Sequence, residues 1–434
     1  MFAVLRQRNF AFLWIGQVIS MLGDWMLFVA LPFYIYALTG STFATGVMFI
    51  VQTIPRLCFG SVAGVFVDRW NRKYTMLVTN LIQALVLMLL FLVHSQEFIW
   101  VIYVFAFIDT TVSQFFSPAS SALIPQIVDE QHLLAANSLN STSQELTRLV
   151  GPFLGGMLFG LFGLGSVVVT DTISFLFSFL MIALLVVPAR AMAVEEKTAR
   201  SGASVGAAKV WHEWLDGLVI VKRERLVMAV FIVIGVAMIG EGIIEVVLTG
   251  YVKTVLHGDA LVLGWLMSAQ AIGGIIGSLL VVRVSKWLRP ALLIPICGLL
   301  FSGFLVVLAL VHVVALILPG MTLAGAVVIG FFVPQITLLQ TSVANEYQGR
   351  IFGAFGAIQA ITMLVGMVLA SGLSDRVGIV PMVIADGVCN FLAALLTIVL
   401  LAPALRAKAT ARASVEPDDA TMDGAALSRE SLTA

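Results

Sequence analysis

Length of the apolar runs constrains this chain more than any other feature. Stretches near 10–36, 43–67, 74–94, 98–124, 137–162 and 165–188 are almost free of charge, and after a polar interval the pattern resumes near 226–252, 260–284, 290–311, 314–342, 350–373 and 379–402. Each can cross a hydrocarbon core of about 30 Å, which takes about 20 apolar residues as a helix. A bilayer supplies no water to unpaired backbone groups, so such runs must close their own hydrogen bonds as helices. The expected class is therefore an all-α membrane protein with twelve spans in two groups of six. The breaks within 98–162 and 314–373 are the least sharply marked, because polar residues interrupt both. Composition points the same way: 60% of residues are hydrophobic and 11% charged, against about 25% charged in a soluble domain. A formal net charge of zero gives no pull toward nucleic acid. Cys58, Cys297 and Cys389 all lie in apolar runs and read as small buried hydrophobes, not as a disulfide framework or metal site. Arg6 and Arg8 precede an apolar run that continues to about Tyr36 without a small-residue cleavage site, so this run reads as an uncleaved first span.

Lys and Arg accumulate on the cytoplasmic side of short loops. Arg6, Arg8, Arg69, Arg72, Lys73, the basic residues within 190–225, Arg283, Lys286, Arg289, Arg350 and those within 406–412 all fall on one side of a twelve-span model. The opposite loops hold Lys253 and Arg376. Both termini are expected in the cytoplasm, with "DRWNRK" as a cytoplasmic turn between spans 2 and 3. Basic residues explain topology; Asp68 among them is not explained by it.

The two groups of six read as copies. Leu149, Val150, Gly151, Gly163 and Asp171 lie over Leu364, Val365, Gly366, Gly378 and Asp386 without a gap, "LGDW" lies over "IGEG" so that Asp24 stands opposite Glu241, and Trp70 and Arg72 lie over Trp287 and Arg289. A duplicated unit follows. The expected organisation is a six-helix bundle over 1–190, a cytoplasmic linker with an amphipathic helix over 191–224, a second bundle over 225–403 and a disordered cytoplasmic tail over 404–434. In the linker Trp211, Trp214, Leu215, Leu218 and Val219 share a helical face, which suits a helix on the membrane interface or one packed beneath the bundle.

Charges inside spans are costly and are functional candidates by default. They are Asp24 in span 1, Arg56 in span 2, Asp109 in span 4, Glu145 and Arg148 in span 5, and Glu241 and Glu245 in span 7. Glu241 and Glu245 lie one turn apart and should not both ionise without a cation between them. Static ion pairs, Asp109 with Arg148 or Asp24 with Arg56, are the other reading. Asp171 and Asp386 read as structural hydrogen-bonding groups. Gly60 with Gly64, and Gly151 with Gly155, are one turn apart and suit close helix packing; Pro152 removes a backbone donor and can bend span 5. The chain has neither a Gly-x-x-x-x-Gly-Lys-Ser/Thr phosphate loop nor a His-Glu-x-x-His zinc motif. No enzyme is expected.

"GVFVDRWNRK" (64–73) between spans 2 and 3, the six-plus-six pattern and the long linker resemble the major facilitator superfamily of secondary transporters, over about 5–402. Within it, "GQVISMLGDWMLFVALPFYIYALTGS", "SPASSALIPQIV", "LLAANSL" and "LVGPFLGGML" look like the drug and siderophore exporter branch that includes macrolide efflux proteins and the enterobactin exporter. "GPFLGG", with Gly151, Pro152, Gly155 and Gly156, is similar to the helix 5 motif of proton-driven antiporters, departing from it at Thr147 where a Gly is usual. The resemblance implies a pair of pseudo-symmetric six-helix bundles, with spans 1, 4 and 7 lining a central cavity. It implies a gating motif of Gly64, Asp68, Arg69, Arg72 and Lys73, in which Asp68 latches onto the start of span 11 near 349–352 in the outward-facing state. The basic members would anchor the turn or pair with Asp129 and Glu130. The implied function is proton-coupled export of drug-like or siderophore-like amphipathic compounds by alternating access, in the cytoplasmic membrane of a bacterium. Candidates for carrying the proton are Asp24, Glu241, Glu245, Asp109 and Glu145, with Glu241 preferred; candidates for the cavity lining are Met26, Gln114, Phe115, Phe116 and Gln359. No cofactor beyond the proton gradient is expected, and the partners are substrate, protons and lipid around a monomer. An uptake permease or a lipid or lysophospholipid flippase of the same fold, or a non-transporting receptor or scaffold, are the alternatives.

Overall fold

The computed structural model describes residues 2–187, 224–343, 345–401 and 403–404. The expected linker helix around 211–219 and the tail beyond 404 lie outside the described residues. Among those described, twelve helices are long and apolar enough to cross a membrane. They are α1 Arg8–Thr39, α2 Thr42–Val67, α3 Arg72–Leu87, α4 Ile99–Ile127, α5 Leu133–Phe162, α6 Leu164–Ala183, α7 Arg225–Thr254, α8 Ala260–Val284, α9 Pro290–Leu310, α10 Val314–Ser342, α11 Asn345–Val377 and α12 Ile379–Leu396. A 3-10 turn, Met88–Leu92, prolongs α3, and a π turn, Thr397–Leu401, prolongs α12. The polar residues that blurred the breaks within 98–162 and 314–373 lie inside continuous helices.

Short connections fix the order of the helices. Gly40 stops α1 with a left-handed φ of 64°, and Gly163 and Gly378, equivalent in the two copies, turn α5 into α6 and α11 into α12 with φ of 76° and 100°. A side chain would strain all three positions. Asn71 starts α3 by accepting from the amide of Tyr74 at 3.0 Å, and Asp259 starts α8 by accepting from Val262 at 3.0 Å.

Within the first half α1 packs on α5 and α6, while α4 packs on α2 and α3; within the second α7 packs on α11 and α12, while α10 packs on α8 and α9. The second set repeats the first, giving two pseudo-symmetric bundles. Outward faces are apolar and open, as at Leu279, Leu316 and Val186, as lipid contact requires. The halves meet along α5 against α8 and along α2 against α11. Glycines set both seams, since without a hydrophobic drive in lipid the helices must approach closely to gain contact. A Cβ on Gly156 would overlap the Ala260 carbonyl, and one on Gly264 the Pro152 carbonyl. Ser268 Oγ donates to the Leu149 carbonyl across the same seam at 2.6 Å.

Among the described residues the close contacts between the halves lie toward one end of the molecule. Gly46 meets Ser371, Thr53 Oγ1 meets Met367 Sδ at 3.6 Å, Tyr36 meets Gly250, and Lys253 Nζ lies 5.5 Å from the Phe33 ring centre. All lie on the side away from the start of α1, here the far side. At the opposite end, where α1 begins and α2 runs into α3, a Cβ on Gly64, Gly349, Gly353 or Gly356 would meet no atom within 4 Å. The halves are sealed on the far side and parted on the other.

Candidate functional site

Three neighbouring cavities share wall residues in the middle of the molecule. The first, about 280 Å³ within the first half, is polar: Trp14, Gln17, Asp24, Asn80, Gln83, Ser113, Ser120, Asn140, Ser143 and Gln144 contribute to its wall. Trp14 Nε1 donates to Ser143 at 2.9 Å, and Gln17 donates to Ser120. The second, about 220 Å³, shares Asp24 and Ser113 with the first and adds Arg56, Asp109 and Gln114. Here Gln83 Nε2 donates to Asp109 Oδ1 at 3.0 Å and to Ser113 at 3.2 Å. The third, about 280 Å³, lies between the halves and shares Phe28 with the second. Its wall joins Trp25, Phe49, Phe301, Phe304 and Met363 to Arg148, Glu241, Glu245 and Gln270. Trp25, Phe28 and Phe49 form an edge-on series with ring centres 5.4 Å and 6.0 Å apart. Such a wall offers apolar area on one side and a few convergent polar groups on the other.

The charged candidates divide between these cavities. Arg56 lines one cavity with Asp24 and Asp109, whereas Arg148 lines another with Glu241 and Glu245; of the two carboxylates one turn apart, Glu241 feels the charge of Arg148 and Glu245 that of Arg56. Neither Asp109 with Arg148 nor Asp24 with Arg56 forms the static ion pair weighed from the sequence: among the described residues no intramembrane carboxylate closes onto Arg56 or Arg148 at ion-pairing distance. Glu145 is exposed and lines none of the three cavities. Of the candidates for the cavity lining, Gln114 and Phe116 stand on cavity walls. Met26 does not; it is 5% exposed and its backbone lies against Gly155, because the glycine face of α5 draws that side of α1 inward. Phe115 instead stacks on Trp70, with ring centres 5.7 Å apart. Gln359 lines none of the three. Gln83, Trp25, Gln270, Phe301 and Phe304 are lining residues that sequence reading missed; the amides Gln83 and Gln270, each inside an apolar run, carried the visible signal.

Asp171 and Asp386 have matching places. Each is fully buried, each sets a carboxyl oxygen where a Cβ would stand on Gly23 or Gly240, and each accepts a hydrogen bond, from Ser174 at 3.0 Å and Asn390 at 2.7 Å. They dock α6 on α1 and α12 on α7 beside the two residues, Asp24 and Glu241, that face the cavities. The helix 5 motif acts similarly: Gly151 and Gly155 receive α1, and Gly156 receives α8.

In the turn between α2 and α3, Lys73 Nζ donates to the carbonyls of Ala183 at 2.9 Å and Leu185 at 2.7 Å, capping the end of α6, and Arg72 donates to Ala122 at 3.0 Å. Of the two roles expected for the basic residues, anchoring the turn or pairing with Asp129 and Glu130, these contacts are of the anchoring kind, and Asp129 accepts from Gln7 at 2.7 Å. Asp68 and Arg69 are exposed, and Gly60 and Gly64 pack on no other helix closely. The latch between Asp68 and the start of α11 is not made in this conformation.

A family model described as Major Facilitator Superfamily matches residues 13–367 and, again, 230–427. The chain belongs to the major facilitator superfamily. Among curated members, Macrolide efflux protein A of Streptococcus pyogenes is 23% identical over 385 residues, covering 86% of this chain and 90% of that protein. The uncharacterized MFS-type transporter YfiS of Bacillus subtilis is 25% identical over 415 residues, covering 91% and 93%. Among solved structures, a bacterial homologue of the iron transporter ferroportin in an inward-facing state superposes with a TM-score of 0.72 at 14% identity, over 92% of this chain and 99% of that one. The nucleoside transporter NupG superposes with a TM-score of 0.67 at 13% identity, over 92% and 99%. These likenesses establish the twelve-helix superfamily fold and place the chain with macrolide efflux relatives within a family of transporters.

Proposed function

We propose that this transporter exports amphipathic organic compounds, with macrolides as the first substrates to test, in exchange for protons across a bacterial cytoplasmic membrane. The observation that carries the reading is the cavity between the halves, where an aromatic wall faces Glu241, Glu245 and Arg148. An amphipathic molecule can leave its apolar body on the rings and its polar end among the charges. Asp24 bridges the polar cavity of the first half to the second cavity, whose Phe28 also borders the third. Cavity-lining carboxyls within the membrane span can take a proton in one conformation and release it in another. An amide imitates the protonated acid but releases nothing.

The test is uptake of a radiolabelled macrolide into inside-out vesicles carrying an imposed proton gradient, beside equilibrium binding of the same compound. Glu241→Gln, Asp24→Asn and the double variant should bind the macrolide but lose gradient-driven accumulation, the double variant wholly. Full accumulation by the double variant would remove both residues from coupling. Parent vesicles that take up the compound equally with and without a gradient would refute proton exchange.

A further inference from the structure

We propose that Asp375 is a clasp that holds the far side shut, and that it alternates with Asp68 at the opposite end of the same helix pair. The proposal deepens the alternating-access reading and rests on it. Asp375 lies in the last turn of α11 and reaches the first turn of α2, 334 positions away in the chain. Ser41 Oγ donates to its Oδ2 at 2.6 Å, the Thr42 amide to its Oδ1 at 2.9 Å and the Phe43 amide to its Oδ2 at 3.4 Å. Ser41 also caps α2 itself by accepting from the Ala44 amide at 3.4 Å. The opening amides of a helix have no partner inside it, so here one half of the molecule satisfies the helix start of the other.

Charge explains why the contact is conditional. A carboxylate near the C-terminus of its own helix faces unpaired carbonyls and the negative end of the helix dipole, and gains only if another helix offers its N-terminus. Asp375 is such a residue on α11, and Asp68, at the C-cap of α2, is another. The two helices run antiparallel, so each brings its acidic end to the other's amide end. In this structure the Asp375 contact is made, whereas at the other end Asp68 is exposed and Gly349 and Gly353 of α11 have no atom within 4 Å of a Cβ position. Rocking that closes one end opens the other. The two contacts are therefore alternatives, one for each conformation.

Charge-assisted bonds to an exposed helix start shift a two-state ratio by about 3- to 30-fold. The experiment is pulsed electron-spin distance measurement on the full chain in nanodiscs, with Cys58, Cys297 and Cys389 replaced. One label pair sits on exposed far-side positions, Phe98 and Val313; the other sits on exposed positions at the opposite side, Leu134 and Trp287. Asp375→Asn and Ser41→Ala should each raise the far-side-open population by a factor in that range, with a matching shortening of the opposite pair, and Asp375→Glu should restore part of the parent distribution. Asp68→Asn should not raise the far-side-open population, and should lower macrolide transport at equal abundance. Unmoved distributions in both Asp375→Asn and Ser41→Ala overturn the clasp, even where transport persists. Shifted distributions in a protein that moves no macrolide uphold the clasp and refute the exporter reading instead.

Discussion

Replacing Gly264 by alanine, then by valine, should push the molecule out of the conformation described here. A Cβ at this position would overlap the carbonyl oxygen of Pro152 and stand 3.0 Å from its carbonyl carbon and 3.2 Å from the Cα of Phe153. All three are backbone atoms, so no rotamer change relieves the crowding, and α8 must retreat from α5. Overpacking of this kind costs about 1–3 kcal/mol. Retreat also stretches the bond from Ser268 Oγ to the Leu149 carbonyl, now 2.6 Å, which adds about 1 kcal/mol if lost. The seam belongs to the sealed far side, so the cost falls on that closed state. The overpacking alone, about 1–3 kcal/mol, corresponds to about a 5- to 150-fold change in the ratio of conformations, and loss of the bond adds to it. The assay places a single cysteine at Met267, which lines the cavity between the halves, and compares its labelling by an impermeant maleimide from each face of the membrane. Far-side labelling should rise by a factor in that range for alanine, and further for valine. Gly160→Ala, on the same α5 but with no atom within 4 Å of its would-be Cβ, is the control that should change nothing. Equal labelling ratios for parent and Gly264→Val, at equal folding and abundance, would refute the idea that this seam holds the far side closed.

Two further outcomes follow from the same picture. If the turn holding Asn71 and the linker holding Ser201 are both cytoplasmic, single cysteines at those positions should be shielded from an impermeant thiol reagent in intact cells and react in inverted vesicles; labelling of both from outside would reverse the orientation. Phe304→Ala removes a ring from the cavity wall and should raise the macrolide KM by about 3- to 10-fold with kcat little changed, the scale of one lost aromatic contact; an unchanged KM would place the substrate elsewhere.

Apolar length alone made the helices legible. Residues 260–284 and 314–342 were marked from hydropathy at the same limits that α8 and α10 have. Side-chain direction was not legible in the same way, because a helix that is apolar all round carries no stripe to show which face meets lipid, a neighbour or a cavity. Met26 and Phe115 were assigned to a cavity wall on residue type and proved to pack against α5 and Trp70. Small-residue spacing has the same weakness: Gly60 and Gly64 have the spacing of Gly151 and Gly155 but lie at the parted end of the molecule. Arg148 illustrates long-range choice, since only the docking of α5 on the second half brings it into a cavity with Glu241 and Glu245. Asp375 was invisible for a related reason. Its neighbour Arg376 served in the topology count, and nothing local to 374–377 announces a partner more than three hundred residues upstream.

The carboxyls of Asp171 and Asp386 record something about the history of the chain. Each stands over a glycine of its own half, Gly23 and Gly240 being in corresponding places of the two copies, and in each half the residue after that glycine is the one that reaches the cavity, Asp24 in one and Glu241 in the other. A six-helix ancestor that already had this joint would pass it to both descendants, because the joint is internal to a half and indifferent to what the halves do to each other. The neighbouring position was under no such bond and became an aspartate on one side and a glutamate on the other. One turn of helix thus holds an inherited part and a diverged part side by side, and a chain built by doubling can change what it carries while keeping the frame it was copied from.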